Sequence, residues 1–357
     1  MFADVLMFIQ NVMMIYMMLF IKLPSESIND YVVYETLGQG AFGKVVKGEK
    51  NGQLYAIKIQ DKKDNEFLEE EVEVLRTING HETCVKMVST FEDETTHYIV
   101  FEKLDKSVYE MMLKDVLTDK DIISIARQTL NALAFLKSKN LIHGDIKPEN
   151  ILFANDGDDP RIKLIDFGLA TFDDSTNKMN TISTTPYRCP ESLFNLIWSF
   201  GADIWSLGCL ICEMKTGQVF FESGEHCEEC PNDDEKQRHL SLIEKACGPF
   251  TKQMVRKCAK YFTPLGIVNA QYATSCSLIS ADRVGDLNVQ RCKKDGRCDS
   301  SFMSTKSMRI LKDQMLIHEV FLEDAEAANL VKKMLTIDPH RRISASGALR
   351  HKYFSLK

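Results

Sequence analysis

The sequence lacks an excess of positive charge. Lys and Arg number 44 against 51 Asp and Glu, which gives a formal net charge of -7. Nonspecific nucleic-acid binding needs clustered Lys and Arg to neutralise phosphates, so this balance argues against direct contact with nucleic acid. An acidic surface attracts basic partners instead.

The sequence also lacks a disulfide framework, internal repeats and low-complexity runs. Its 11 cysteines are an odd number, scattered through apolar stretches, which favours a reducing compartment. Cys227 and Cys230 have C-x-x-C spacing and could form a tetrahedral zinc site with Cys292 and Cys298, although the second pair lacks the usual short spacing. Free thiols in a surface insert are the alternative. With 44% hydrophobic and 27% charged residues, the composition is that of a folded globular protein.

One long apolar run is present, at the amino terminus. Residues 1–24 form a hydrophobic segment, and the stretch 5–23 is long enough to cross a bilayer. Three interpretations are open: a membrane anchor, a hydrophobic helix packed on the protein, or a stretch that is not part of the working protein. Gln10 and Asn11 interrupt the run and weaken the anchor interpretation. A cleaved signal peptide is disfavoured because no positive charge precedes the run and no small-residue cleavage site follows it.

After the apolar run the pattern changes to short alternating segments. These predict strands over 31–37, 45–48, 54–60, 87–91 and 97–101, with one helix over 65–78 that has an acidic outer face. Helical periodicity dominates from Lys106 onward, for example over 122–137 and 202–216. The order of elements therefore predicts a small β-rich lobe followed by a helical lobe.

A glycine-rich run follows the first predicted strand. Gly38, Gly40 and Gly43 stand in a G-x-G-x-x-G-x-V pattern, whose glycines let backbone N–H groups approach phosphate oxygens. Dinucleotide-binding turns share this spacing, and a plain glycine-rich hairpin is a further alternative. Here the run joins two predicted strands, whereas a dinucleotide fold would continue straight into a helix.

Lys58 lies in the next predicted strand, among apolar neighbours. The helix that follows offers Glu71, in register with Leu75, so an ion pair between Lys58 and Glu71 would aim the ammonium at ATP phosphates. Glu70 and Glu73 are the alternative partners.

The stretch 141–152 reads L-I-H-G-D-I-K-P-E-N-I-L and places three polar side chains between apolar flanks. Asp145 can accept a substrate hydroxyl proton, Lys147 can neutralise the transferring phosphoryl group, and Asn150 can hold a metal ion. Asp166 opens a following D-F-G triplet, and its carboxylate suits a hard cation that bridges phosphates. This order and spacing indicate phosphoryl transfer from a nucleotide.

Together these motifs resemble the protein kinase superfamily over residues 31–354. The resemblance implies an α+β, bilobal fold with ATP and Mg²⁺ as cofactors. It places the small antiparallel lobe with one long helix at 31–101, a hinge at 102–105, and a larger, mainly helical lobe at 106–354 with an insert at about 222–310.

The resemblance also implies roles for single residues. Asp145 would be the catalytic base, Lys147 the phosphate contact, Lys58 and Glu71 the activating pair, and Asn150 and Asp166 the magnesium ligands. The nucleotide contacts would be Leu37, Gly38, Gln39, Gly40, Ala41, Phe42, Gly43, Lys44, Val45, Ala56, Lys58, Phe101, Glu102, Leu104 and Leu152. Further along the chain, Arg342 would form a structural pair with Glu191.

Two stretches narrow the resemblance to one branch. The run R-H-L-S-L-I-E-K at 238–245 is similar to the E-H-L-A-M-M-E-R signature of the LAMMER (CDC-like) kinases of the CMGC branch, and 143–153 is close to their H-T-D-L-K-P-E-N-I-L-F. This implies transfer to Ser and Thr, and to Tyr in autophosphorylation, of basic Arg/Ser-rich proteins such as splicing factors. It also implies a monomeric catalytic domain in the nucleus or cytoplasm, which fits poorly with a membrane anchor.

Three alternatives to that assignment are open. The first is a divergent kinase of the same branch with another substrate class, and the second is a small-molecule kinase of related fold. The third is a pseudokinase scaffold, which predicts the loss of a residue such as Lys58, Asp145, Asn150 or Asp166, yet all four are present.

One departure from the family pattern has mechanistic weight. Most kinases have Arg before the catalytic Asp, where this chain has Gly144. A phosphate on Thr181, Ser183, Thr184 or Thr185 would lack its usual charge-assisted partner. We therefore expect activity not to depend on phosphorylation of the activation loop.

Overall fold

A computed structural model describes residues 26–40, 43–63, 68–114, 117–154, 160–173, 182–223, 235–257 and 314–355. The described residues form two compact units: one holds those up to His81 together with Val85–Leu104, and the other holds Glu82–Cys84 and those from Asp105 onward. Within these ranges no helix is long and apolar enough to cross a membrane. The hydrophobic segment 1–24 and the four cysteines of the predicted zinc site lie outside them.

The first unit is built on a six-stranded antiparallel sheet. Its strands, in the spatial order β1-β2-β3-β4-β6-β5, are β1 (Glu26–Ile28), β2 (Tyr31–Gly40), β3 (Gly43–Lys50), β4 (Gln53–Asp61), β5 (Met87–Glu92) and β6 (Thr96–Glu102). The sequence predicted five of them. It missed β1 because three residues with one apolar side chain are too short to show a period of two. A turn with Asn29 at φ 52° joins β1 to β2.

The two faces of this sheet have different neighbours. One face carries a cluster of buried apolar side chains: Tyr31, Val33, Val46, Ile57 and Val100. The helix α1 (Leu68–Ile78) buries Val72, Val74, Leu75 and Ile78. Because α1 also contacts Lys58, whose neighbour in sequence Ile57 belongs to the cluster, the helix lies on the opposite face.

The second unit is mainly helical. Its helices are α2 (Val108–Lys114), α3 (Asp119–Ser138), α4 (Pro190–Leu193), α5 (Gly201–Thr216), α6 (Glu235–Cys247), α7 (Lys252–Lys257), α8 (Ile317–Val320), α9 (Ala325–Met334), α10 (Ala345–Leu349) and α11 (Lys352–Ser355). Short antiparallel pairs join β7 (Leu141–Ile142) to β10 (Thr171–Phe172) and β8 (Ile151–Ala154) to β9 (Arg161–Leu164). The predicted α+β class is thereby confirmed.

Helices α3 and α5 form the centre of the second unit. The side chain of Thr118 caps α3 by accepting from the backbone N–H of Asp121, whose carboxylate accepts from the Thr118 N–H in return. Helix α5 is buried from Ala202 to Met214, with Trp205 fully buried. Gly217 ends it in the left-handed region at φ 70°.

A buried ion pair ties α4 to the loop before α10. Nη1 and Nη2 of Arg342 lie 2.6 and 2.9 Å from the two carboxylate oxygens of Glu191. The guanidinium also donates to the carbonyl of Gly201 and lies over the Trp205 ring. The predicted structural pair is confirmed as a bidentate one, the geometry in which a buried ion pair best offsets its desolvation.

The stretch similar to the LAMMER signature, 238–245, forms most of α6, and its first six residues are buried. Arg238 is 1% exposed and donates from Nε to the carbonyl of Ser223 at 2.7 Å. His239 is fully buried, and burial lowers its pKa to about 4. These polar side chains therefore help to pack the helical unit.

Candidate active site

The backbone of the loop that precedes Asp145 is held by α5. The two carboxylate oxygens of Asp203 accept from the backbone N–H groups of His143 and Gly144, each at 2.9 Å. Burial raises the pKa of Asp203, although these two donors act in the opposite direction. Residue 144 has φ +81°, and a Cβ there would lie 2.7 Å from the carbonyl oxygen of Leu169. Only glycine fits this turn without strain.

His143 links the loop to the D-F-G triplet. Its Nδ1 accepts from the Asp145 N–H, so Nε2 carries the hydrogen that is donated to the Ile165 carbonyl at 3.0 Å. The imidazole lies 4.8 Å from the ring of Phe167, which is 1% exposed. A buried aromatic contact and a hydrogen bond thus fix the residues on both sides of Asp166.

The carboxylate of Asp145 is the centre of a closed network. Oδ1 accepts from the Thr184 N–H at 3.0 Å and from its hydroxyl at 2.8 Å. Oδ2 accepts from Asn150 Nδ2 at 3.1 Å and lies 2.7 Å from Lys147 Nζ, which also reaches the Thr184 hydroxyl at 3.0 Å. The structure therefore brings Asp145, Lys147 and Asn150 together, as the sequence predicted.

Thr184 is the member of this network that the sequence did not predict. The sequence indicated Thr184 only as a candidate phosphate acceptor, because no local pattern shows that a hydroxyl 39 residues away will bond to Asp145. Asp203, which holds the backbone before Asp145, was not among the predicted site residues either.

Two oxygen donors suited to a hard cation lie at one end of the β8–β9 hairpin. The amide nitrogen of Asn150 faces Asp145. The amide oxygen of Asn150, its Oδ1, is therefore left to act as a ligand of the kind that hard cations bind. The backbone N–H of Ile165 donates to the Asn150 carbonyl at 3.0 Å, so Asp166, the next residue, lies at the same end. Asp166 is exposed, with φ 56°. This donor set fits Mg²⁺, which prefers carboxylate and carbonyl oxygens.

The first unit contains the predicted ion pair. Lys58 Nζ lies 2.6 Å from Glu71 Oε1, and the two side chains are 10% and 3% exposed. Glu70 and Glu73, the alternative partners, are exposed on the other side of α1. Because β4 alternates its faces, Lys58 and Gln60 point to the same side, and Gln60 Nε2 donates to Glu71 Oε2 at 3.3 Å.

Several predicted nucleotide contacts share the sheet face of Lys58. Val45 pairs directly with Lys58, and Phe101 pairs with Ala56, which lies two residues before Lys58 on the same strand. Directly paired residues of antiparallel strands point to the same side. Val45, Ala56 and Phe101 therefore form one partly buried surface beside the Lys58 ammonium.

The glycine-rich run connects β2 and β3. A Cβ at Gly38 or Gly40 would meet nothing within 4 Å, whereas one at Gly43, where φ is +126°, would lie 2.1 Å from the Ile59 carbonyl. Gly43 therefore lets β3 approach β4, while Gly38 and Gly40 leave open space beside the strand. Ala41 and Phe42 lie outside the described residues.

The remaining predicted contacts are spread over both units. Leu37 is exposed, Gln39 pairs with Lys44 across the β2–β3 ladder, and Leu152 lies in β8 of the second unit. The N–H of Glu102 donates to the Lys86 carbonyl, and the Leu104 carbonyl accepts from Lys103 Nζ.

Comparison with known proteins identifies the family. The protein kinase domain matches residues 31–354. The chain belongs to the protein kinase family. Among its relatives are dual specificity protein kinase CLK1 of Homo sapiens, 32% identical over 91% of this kinase chain, and serine/threonine-protein kinase AFC2 of Arabidopsis thaliana, 29% identical over 91%. Dual specificity protein kinase lkh1 of Schizosaccharomyces pombe is 29% identical over 93% of the chain.

These relatives confirm the similarity to the CDC-like, or LAMMER, kinases that the sequence predicted. The kinase chain spans 66% of the length of the human relative, 77% of the Arabidopsis one and 48% of the fission yeast one. A protein kinase domain implies that the chain uses ATP and a divalent metal ion.

Proposed function

We propose that this chain transfers the γ-phosphoryl group of Mg²⁺-bound ATP to Ser and Thr of basic, Arg/Ser-rich proteins, and to Tyr in autophosphorylation. The observation that carries the proposal is the network in which Thr184, Lys147 and Asn150 orient the carboxylate of Asp145. Similarity to the dual specificity kinases supports the acceptor residues. From the resemblance of the sequence motifs to that family we also propose a monomeric catalytic domain in the nucleus or cytoplasm.

In the proposed mechanism, ATP supplies the phosphoryl group and Mg²⁺ offsets its negative charge when both are bound. Asp145 accepts the proton of the substrate hydroxyl and holds that oxygen for attack. Lys147 and Lys58, the latter held by Glu71, would offer positive charge to phosphate oxygens, and Asn150 and Asp166 would hold the metal ion through their side-chain oxygens. Because positioning and electrostatics supply most of the catalysis in phosphoryl transfer, the closed network around Asp145 is the feature that matters most.

The acidic balance of the whole chain is compatible with a basic substrate. Glu149 is exposed one residue from Asn150. With a net charge of -7 for the chain, an exposed carboxylate beside the catalytic loop would attract an Arg-rich peptide and disfavour an acidic one.

The test uses the full chain with labelled ATP, Mg²⁺ and Arg-Ser, Pro-directed and acidic peptides. We expect phosphorylation of the Arg-Ser peptide and a loss of about 10²–10⁴-fold in kcat for Asp145→Asn, since that is the usual contribution of a general base. Exposed Asp119→Asn is the matched control and should leave kcat unchanged. If Asp145→Asn were as active as the wild type, the catalytic assignment would be wrong. Preference for a Pro-directed or acidic peptide would overturn the substrate class alone.

A further inference from the structure

A buried glutamine occupies an unusual place beside the Lys58–Glu71 pair. Gln60 lies two residues after Lys58 on β4 and is 1% exposed. Its Nε2 donates to Glu71 Oε2 at 3.3 Å, while Lys58 binds the other oxygen, Oε1, at 2.6 Å. The carboxylate of Glu71 is therefore held by two donors from one strand, one on each oxygen.

This orientation of the Gln60 amide follows from the charge it faces. If the amide were flipped, its oxygen would lie against the carboxylate of Glu71, and two acceptors would face each other. The observed orientation leaves the amide oxygen of Gln60, its Oε1, buried without a hydrogen-bond partner among the described residues. An unpaired buried acceptor costs stability. For stability alone an apolar side chain would serve better here, and the bond to Glu71 is what the amide contributes.

We propose that Gln60 is a positioning residue, which fixes the rotation of the Glu71 carboxylate so that Oε1 faces Lys58. A single Lys–Glu contact leaves the carboxylate free to turn about its last bond, whereas a second donor on Oε2 removes that freedom. The titratable groups around the amide are Lys58 on β4, Glu71 on α1 and His97 on β6, which is paired directly with Gln60 in the sheet. The inference rests on the proposed function, in which Lys58 contacts phosphate oxygens.

The test replaces the amide by an apolar side chain of similar size, Gln60→Met. We expect kcat/KM for ATP to fall about tenfold, mostly through KM, as suits a hydrogen bond to a charged group at the lower end of its range. In nucleotide-free protein, the amides of α1 should exchange with deuterium several-fold faster, a readout that needs no activity. Thr90→Val is the matched control: it removes the Thr90 hydroxyl, which bonds to the Tyr98 carbonyl and the His97 ring, from the same sheet without touching Glu71.

A double-mutant cycle separates positioning from general loss of stability. If Gln60 acts through Glu71, Gln60→Met should change nucleotide affinity less than twofold in a Glu71→Met background. Equal effects in both backgrounds, or exchange in α1 no faster than in Thr90→Val, would overturn the inference. Calorimetric binding of a non-hydrolysable ATP analogue to the wild type tests the proposed function separately. If the wild type binds no nucleotide, the proposed function is contradicted, and the deuterium exchange of α1 alone then decides whether Gln60 positions Glu71.

Discussion

At the scale of single residues, Thr184 decides how Asp145 is held. Its hydroxyl and its N–H both donate to Oδ1 of the carboxylate. We expect Thr184→Val, which keeps the shape and the N–H, to lower kcat about tenfold because a charge-assisted hydrogen bond is lost. Thr184→Ser is the matched control, since it keeps the hydroxyl and should retain most activity. Steady-state kinetics at saturating ATP measures both, and a fully active Thr184→Val would show that the hydroxyl is dispensable.

The residues predicted from sequence differ from those that were missed in one physical respect. Asp145, Lys147, Asn150 and Asp166 belong to motifs whose spacing along the chain is itself fixed by a tight loop or a hairpin. Thr184 reaches its partner through tertiary folding, and no periodicity of the sequence encodes that distance. Its role as a hydrogen-bond donor also changes how it must be tested, because loss of the hydroxyl disturbs Asp145 whether or not Thr184 is ever phosphorylated.

At the scale of elements, a buried carboxyl joins α5 to the turn at Thr185–Tyr187. The Tyr187 hydroxyl donates to Glu213 Oε2 at 2.6 Å. Burial, opposed by that hydrogen bond and assisted by the charges of Glu149 and Glu222, raises the pKa of Glu213 from 4.5 to about 7. Between these values the folded chain binds more protons than the unfolded chain, so stability falls as pH rises through this window.

We expect Glu213→Gln to remove that contribution. The amide oxygen can still accept from Tyr187 but does not titrate. As the pH rises from about 4.5 to about 7.5, the free energy of unfolding of the variant should therefore fall by about 2 kcal/mol less than that of the wild type. Urea unfolding at several pH values measures the difference. Glu235→Gln, at an exposed carboxyl of the same unit, should follow the wild-type curve. Parallel curves for the wild type and Glu213→Gln would contradict the raised pKa.

Elements were predictable where a pattern is long enough to repeat. Helices α3 and α5 extend over three or more turns and were predicted to within a few residues, and Glu71 was chosen as the partner of Lys58 from its register with Leu75. Strand β1 gives no such repeat. In α6, Arg238 and His239 are polar by sequence yet buried by the fold, so periodicity alone could not show that this helix packs into the unit.

At the scale of the whole molecule, the question is what activates the kinase. Gly144 offers no side chain to a phosphate, and the space that a Cβ would enter is taken by Ile182, whose Cδ1 would lie 3.0 Å from it. The segment after Ile182 is held without phosphate: Arg188 donates to the carbonyls of Ile182 and Ser183 at 2.8–3.2 Å. Ser183 is itself 5% exposed, with φ 68°, so its hydroxyl is poorly placed for modification.

These contacts lead to the expectation that the full chain is active without phosphate on this segment. The informative variant changes Thr181, Ser183 and Thr185 to Ala and keeps Thr184, because loss of Thr184 would lower activity through Asp145 alone. We expect phosphatase-treated wild type and this triple variant to have kcat values within about threefold of untreated protein, since no cationic side chain is present at residue 144 to bind a phosphate.

The matched loss-of-contact variant is Arg188→Met, which should lower activity in treated and untreated protein alike because it releases the carbonyls of Ile182 and Ser183. A loss of more than about tenfold in the triple variant, with its unfolding midpoint unchanged, would mean that a phosphate on this segment binds a cationic side chain elsewhere and that phosphorylation activates the kinase after all.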